Sequence, residues 1–92
     1  MTAKIIQELK IINEKGLHAR ASAKFVETVE RFDASVVVEK DGLEVSGDSI
    51  MGLLMLTAPR GSTIRVTAHG TQAPELCRAL ADLVGDYFGE GM

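Results

Sequence analysis

Within the stretch from Asn13 to Ala23 a histidine and an arginine stand two positions apart, His18 and Arg20, among glycine and small residues. Neutral imidazole is nucleophilic near pH 7, and the phosphoramidate it forms remains a good donor to a next acceptor. A nearby guanidinium offers a planar fork of charge-assisted donors that fits phosphate oxygens. Gly16 permits a tight turn with positive φ, and the residues from Ala19 onward read as a helix, so His18 falls at or just before its first turn. Helix N-termini carry orphan N–H donors and partial positive charge, which favours anions. These residue types at this spacing point to a phosphorylatable histidine. A histidine at such a junction also suits a surface or capping role, and spacing alone leaves both open. A small module that holds an anion there without exchanging phosphoryl groups is a further alternative. An enzyme using His18 as general base would call for a second catalytic carboxylate or a Gly-rich nucleotide loop, and neither accompanies it.

The other residues able to do chemistry are few. Ser46, Gly47, Asp48 and Ser49 form a cluster of capping types ahead of an apolar run that ends at Leu56, which reads as a short helix with Ser49 near its start. Ile50, Met51 and the residues from Leu53 to Leu56 are more apolar than one buried face requires, so either part of the run stays exposed as a contact patch or all of it is core. The single cysteine, Cys77, excludes an internal disulfide and leaves no metal-ligand cluster; it fits as a small apolar residue on a helix. His69 closes a strand and is read as solvated, with no role.

The elements that must position His18 follow from periodicity. From Ala3 to Ile12, Ile5, Leu9 and Ile11 share one parity with Gln7 as the polar exception, which predicts a strand with one buried face. Phe25, Val26, Val29 and Phe32 recur at helical spacing, giving an amphipathic helix to about Arg31. A β-branched stretch from Ala34 to Glu39 then predicts a strand, and Asp41-Gly42 joins it to Leu43–Ser46 as a hairpin. Thr63 to Ala68 alternates cleanly, with Ile64, Val66 and Ala68 inward. Thr71 is placed as the cap of a last helix with Pro74 in its first turn and Leu76, Leu80, Leu83, Val84 and Tyr87 as its core stripe. Gly89 to Met92 reads as a frayed tail. The order β-α-β-β-α-β-α calls for one sheet with helices on one face, an α+β open-faced sandwich.

Bulk properties exclude several classes. A chain of 92 residues with 46% hydrophobic content and no low-complexity tract is read as one domain. Its 10 basic and 13 acidic residues give a net charge of −3, spread without blocks, so there is no basic stripe for nucleic acid or anionic lipid. Proteins or small anions are the expected partners. No apolar signal region opens the chain at Met1–Lys4, and no run approaches the roughly 18 apolar residues of a membrane span, which makes a cytoplasmic location the expectation.

The segment Gly16-Leu17-His18-Ala19-Arg20, followed by small residues and Phe25-Val26, resembles the active-site signature of the HPr family, the histidine-containing phosphocarriers of the phosphoenolpyruvate-dependent phosphotransferase system. Asp48 to Leu56 resembles the regulatory-serine segment of the same family at the expected distance, with Ser49-Ile50-Met51-Gly52 setting the register on Ser49 and not Ser46. The similarity runs from about Ile5 to the last helix. It implies a four-stranded antiparallel sheet covered on one side by three helices, with residues 1–92 as a single domain. It further implies that His18 takes a phosphoryl group on Nδ1 from phosphoenolpyruvate-charged enzyme I and passes it to an enzyme IIA domain, with Arg20 stabilising the phosphate. Ser49 would be a regulatory site for an HPr serine kinase/phosphorylase, and Ile50, Met51 and Leu54 would contact partners. The resemblance implies a carrier and not an enzyme, with no cofactor. Two departures stand out: Ala21 replaces the family's usual proline, restoring an N–H and freeing φ, and Glu27 and Glu30 occupy a helix that often carries basic residues. The first makes the Ala21 amide a candidate extra phosphate donor. The second points to enzyme IIA partners of the chain's own, in sugar uptake or in regulation.

Overall fold

A computed structural model describes residues 4–92; Met1, Thr2 and Ala3, on which the expected strand start and the search for a signal region partly fall, lie outside the described residues. The alternation after them forms β1 (Lys4–Lys10), with Ile5, Gln7 and Leu9 turned inward and Lys4, Ile6, Glu8 and Lys10 exposed. Gln7, the polar exception, donates from Nε2 to the Cys77 carbonyl at 3.0 Å, so its inward polar group is satisfied. The helical spacing forms α1 (Ala19–Glu30), which buries Ala21, Phe25, Val26 and Val29. Next come β2 (Ser35–Lys40) and β3 (Leu43–Ser46), paired antiparallel with Lys40 opposite Leu43. Asp41 and Gly42 between them both have positive φ, 53° and 87°, the two-residue turn whose twist matches that of the strands.

The rest of the chain is α2 (Ile50–Met55), β4 (Thr63–His69) and α3 (Ala73–Gly85). The sheet order is β1-β4-β2-β3, antiparallel throughout, with Leu9 opposite Ile64 and Val38 opposite both Val66 and Val45. Phe25, Leu53, Leu76 and Leu80 pack with Val38, Ile64 and Val66 into one core. On the other face Ile6, Val37 and Arg65 are exposed. The three helices therefore cover one side of a four-stranded sheet, the α+β open-faced sandwich expected above.

Two details near α3 differ from expectation. Thr71 does not cap it; its hydroxyl donates to the Asp33 carboxylate at 2.7 Å, and the Asp33 N–H donates to Gln72 Oε1 at 2.7 Å, stitching two loops together. Tyr87 does not extend the apolar stripe, because α3 ends at Gly85 and the chain then makes a 3₁₀ turn over Tyr87–Gly89. Tyr87, Phe88 and Gly89 all have positive φ, 58°, 53° and 75°. For the two non-glycine residues this costs about 1–2 kcal/mol each, comparable with the roughly 1.5–3 kcal/mol from burying Phe88, which is wholly inaccessible. Lys24 Nζ adds a hydrogen bond to the Phe88 carbonyl at 2.7 Å. The last residues consequently fold back on the start of α1 instead of fraying.

Candidate functional site

The turn that carries His18 is tied down on both sides. Gly16, at φ 68°, accepts from Asn13 Nδ2 at 2.8 Å and from the His18 N–H at 2.9 Å, while the Leu17 N–H donates to the Ala58 carbonyl at 2.9 Å. A Cβ on Gly16 would stand 2.6 Å from the Ala58 oxygen and 2.9 Å from Pro59 Cα, so only glycine permits this approach of two backbones. His18 is the residue before α1, with extended backbone (φ −78°, ψ −176°), and no side chain caps the helix. The first helical bond runs from the Ser22 N–H to the His18 carbonyl at 2.8 Å. The amides of Ala19, Arg20 and Ala21 thus have no intrahelical acceptor.

His18 lines two concavities. One, of about 380 Å³, is lined by Glu14, Lys15, Arg20, Lys24 and Glu90 together with His18; the other, of about 420 Å³, lies toward Leu17, Thr57, Ala58 and Pro59. Three cationic side chains thus share the first with the imidazole and two carboxylates. His18 Nε2 contacts a Glu90 carboxylate oxygen, and the other Glu90 oxygen accepts from Asn13 Nδ2 at 3.0 Å. Partial burial works against ionisation of Glu90, but hydrogen bonds from His18 and Asn13 and the fields of His18 and Lys15 outweigh it, leaving the carboxyl below its ordinary range.

His18 and Arg20 are thus brought to one pocket. Ser49 is elsewhere, as the residue before α2, where its hydroxyl accepts from the Gly52 N–H at 3.0 Å. On α2, Ile50 and Met51 are exposed while Leu53 is buried, as is Leu56 just after the helix, so the run is part patch and part core. Leu54 is only half-buried, and Met55, 63% exposed, belongs to the open face with Met51. Cys77 is buried, and burial raises its thiol pKa. Among the described residues no cluster of His, Cys, Asp or Glu could hold a metal ion, and no helix is long and apolar enough to cross a membrane. Sequence reasoning missed Asn13, Lys24 and Glu90. The only signal for Glu90 was its position between Gly89 and Gly91.

Residues 5–86 match the sequence model of the family described as PTS HPr component phosphorylation site. The chain belongs to the HPr family. It is 49% identical over 85 residues to phosphocarrier protein HPr of Neisseria meningitidis serogroup A, spanning 92% of this chain and 96% of that protein. It is also 38% identical over 91 residues to phosphocarrier protein NPr of Escherichia coli K12, spanning 98% and 99%. Its fold matches the crystal structure of HPr-C-His from Thermoanaerobacter tengcongensis with a TM-score of 0.90 at 38% identity, over 96% of this chain and 99% of that one. As a member of this family it is a phosphocarrier of the phosphotransferase system and not an enzyme.

Proposed function

We propose that residues 1–92 act as one phosphocarrier domain in which His18 receives a phosphoryl group on Nδ1 from phosphoenolpyruvate-charged enzyme I and passes it to an enzyme IIA domain. The observation that carries this reading is the placement of the imidazole directly before an uncapped helix, in a pocket shared with Lys15, Arg20 and Lys24. Phosphoryl transfer asks a protein mainly for positioning and charge stabilisation. Free amides at the start of α1 contribute about 0.3–1 kcal/mol toward holding an anion, and Arg20 supplies charge-assisted donors. Stabilisation on this scale biases a reversible carrier without trapping its cargo. The relay reading puts the chain in the cytoplasm, with neither membrane nor nucleic acid as a partner.

On this reading Ile50 and Met51, with Leu54 at their margin, contact the partners, and the exposed Glu27 and Glu30 match the carrier to enzyme IIA proteins of its own. Ser49 is the regulatory phosphorylation site for an HPr serine kinase/phosphorylase. Phosphate there adds about −1.5 to −2 charges beside this apolar patch, which opposes docking. The similarity to NPr as well as HPr proteins leaves sugar uptake and a regulatory relay to be separated by which enzyme IIA drains the label. Incubation with enzyme I and labelled phosphoenolpyruvate is expected to give an acid-labile label on the wild type and none on a folded His18→Ala variant. Labelling of His18→Ala at the wild-type rate would sink the carrier reading.

A further inference from the structure

We propose that Glu90 is a positioning residue for His18, holding the imidazole by its Nε2–H so that Nδ1 presents the lone pair that accepts the phosphoryl group. The inference rests on the carrier reading of His18. An ionised carboxylate has no proton to give, and a neutral imidazole carries one N–H. In the contact between Nε2 and Glu90 the ring must therefore donate, which leaves Nδ1 unprotonated; the hydrogen bond at one ring nitrogen sets the state of the other.

Glu90 is itself held from several directions. Asn13 Nδ2 donates to its second oxygen at 3.0 Å and to the Gly16 carbonyl at 2.8 Å. Both neighbours are acceptors, so the amide nitrogen and not the oxygen must face them. One side chain thereby ties the turn that carries His18 to the carboxylate that orients it. Behind Glu90 the chain is anchored by the buried Phe88, whose carbonyl accepts from Lys24 Nζ. The Glu90 side chain is 13% exposed, against 28% for the His18 side chain it meets.

In the transfer step the Nδ1 lone pair forms the new N–P bond, and the bond from phosphorus to the donor atom breaks with its electron pair leaving on the donor. Nε2 keeps its proton throughout. The ring gains positive charge, which the Glu90 carboxylate faces, and passing the group on reverses each change.

The test uses the full chain with Glu90→Ala and Glu90→Gln. It measures the rate of label transfer from phosphorylated enzyme I, the ¹⁵N signals of the His18 ring, and the melting temperature as a control for folding. Glu90→Ala is expected to slow acceptance about tenfold, the scale of one hydrogen bond to a charged group, and to move the ring signals away from the Nε2–H pattern. Glu90→Gln keeps a carbonyl acceptor, so it should retain that pattern and recover part of the rate. Unchanged ring signals in Glu90→Ala would overturn the proposal, whether or not transfer slowed, and so would changed signals at an undiminished rate. Normal labelling of the wild type alongside such a result would leave the carrier reading standing. Absence of label on wild-type His18 would remove that reading and this proposal with it.

Discussion

Helices α1 and α2 both begin after a polar residue in extended backbone, yet they treat their first amides in opposite ways. Ser49 turns its hydroxyl onto the Gly52 N–H at 3.0 Å and closes its helix end. His18 makes no such bond, and its ring reaches away to Glu90. A capping side chain satisfies orphan donors and secures a helix, whereas an uncapped end keeps those donors for an anion. In one small fold, then, one helix start serves stability and the other is left available, with a glycine turn and the chain's end holding it in shape.

The largest effect is expected from breaking the turn under His18. Gly16→Ala must adopt positive φ, costing about 1–2 kcal/mol, and must also displace the Ala58–Pro59 backbone, for a total loss of roughly 3 kcal/mol. Thermal melts should show a fall of more than about 10 °C. Gly42→Ala is the control, since its φ is also positive but nothing lies within 4 Å of the added Cβ. Equal losses for the two would show that the close approach at Gly16 contributes nothing.

At the closed end, Ser49→Ala removes the cap and should cost about 1 kcal/mol, leaving His18 labelling from enzyme I intact. The same variant should lose labelling by an HPr serine kinase. Labelling that persisted would move the regulatory site, with Ser46 the first to examine.

How much of this was legible depends on how local each feature is. The alternation of Ile64, Val66 and Ala68, the Asp41-Gly42 turn and the stripe of Phe25, Val26 and Val29 are written in neighbouring residues, and the fold follows from them. Gly16, His18 and Arg20 lie within one turn of each other and were legible for the same reason. Glu90 was not, because it meets His18 across 72 positions and arrives through Tyr87 and Phe88 in a backbone region their types ordinarily avoid. Flanking glycines read as loose chain, whereas Gly89, at φ 75°, continues the run of positive φ that turns Glu90 back. On α2 the exposed partner of Met51 is Met55, four residues on, since positions four apart share a helix face; Leu54 lies between the buried Leu53 and the open side.

A smaller change sharpens the comparison from within α1. Ala21 is fully buried and its amide lacks an intrahelical acceptor, so Ala21→Pro loses no helix bond and should stabilise the unphosphorylated fold by about 0.4–1 kcal/mol through the unfolded chain. It also removes the Ala21 amide, the candidate extra donor to a phosphate on His18. Faster hydrolysis of the phosphohistidine in a more stable protein is the expected pair of results. A proline variant with an unchanged phosphohistidine lifetime would take Ala21 out of the anion site.

The smallest effect concerns what Glu90 adds to stability, and pH separates it from the cap at Ser49. Because the folded Glu90 carboxyl lies below its ordinary value of 4.5, the unfolded chain binds the proton first as pH falls. Its stabilisation is therefore fully present above that value and is lost as pH drops through the lowered folded one. Ion contacts near a surface contribute little, so the melting-temperature gap between wild type and Glu90→Gln should be small and should close as pH falls through the acid range below that value. No titrating group takes part in the Ser49–Gly52 bond, so the gap between wild type and Ser49→Ala should persist across the same range. Melts of the three proteins over a pH series read both at once. A Glu90→Gln gap that stayed open in acid would show that the chain's end is held at His18 by shape alone, and that the two helix starts differ in geometry but not in charge.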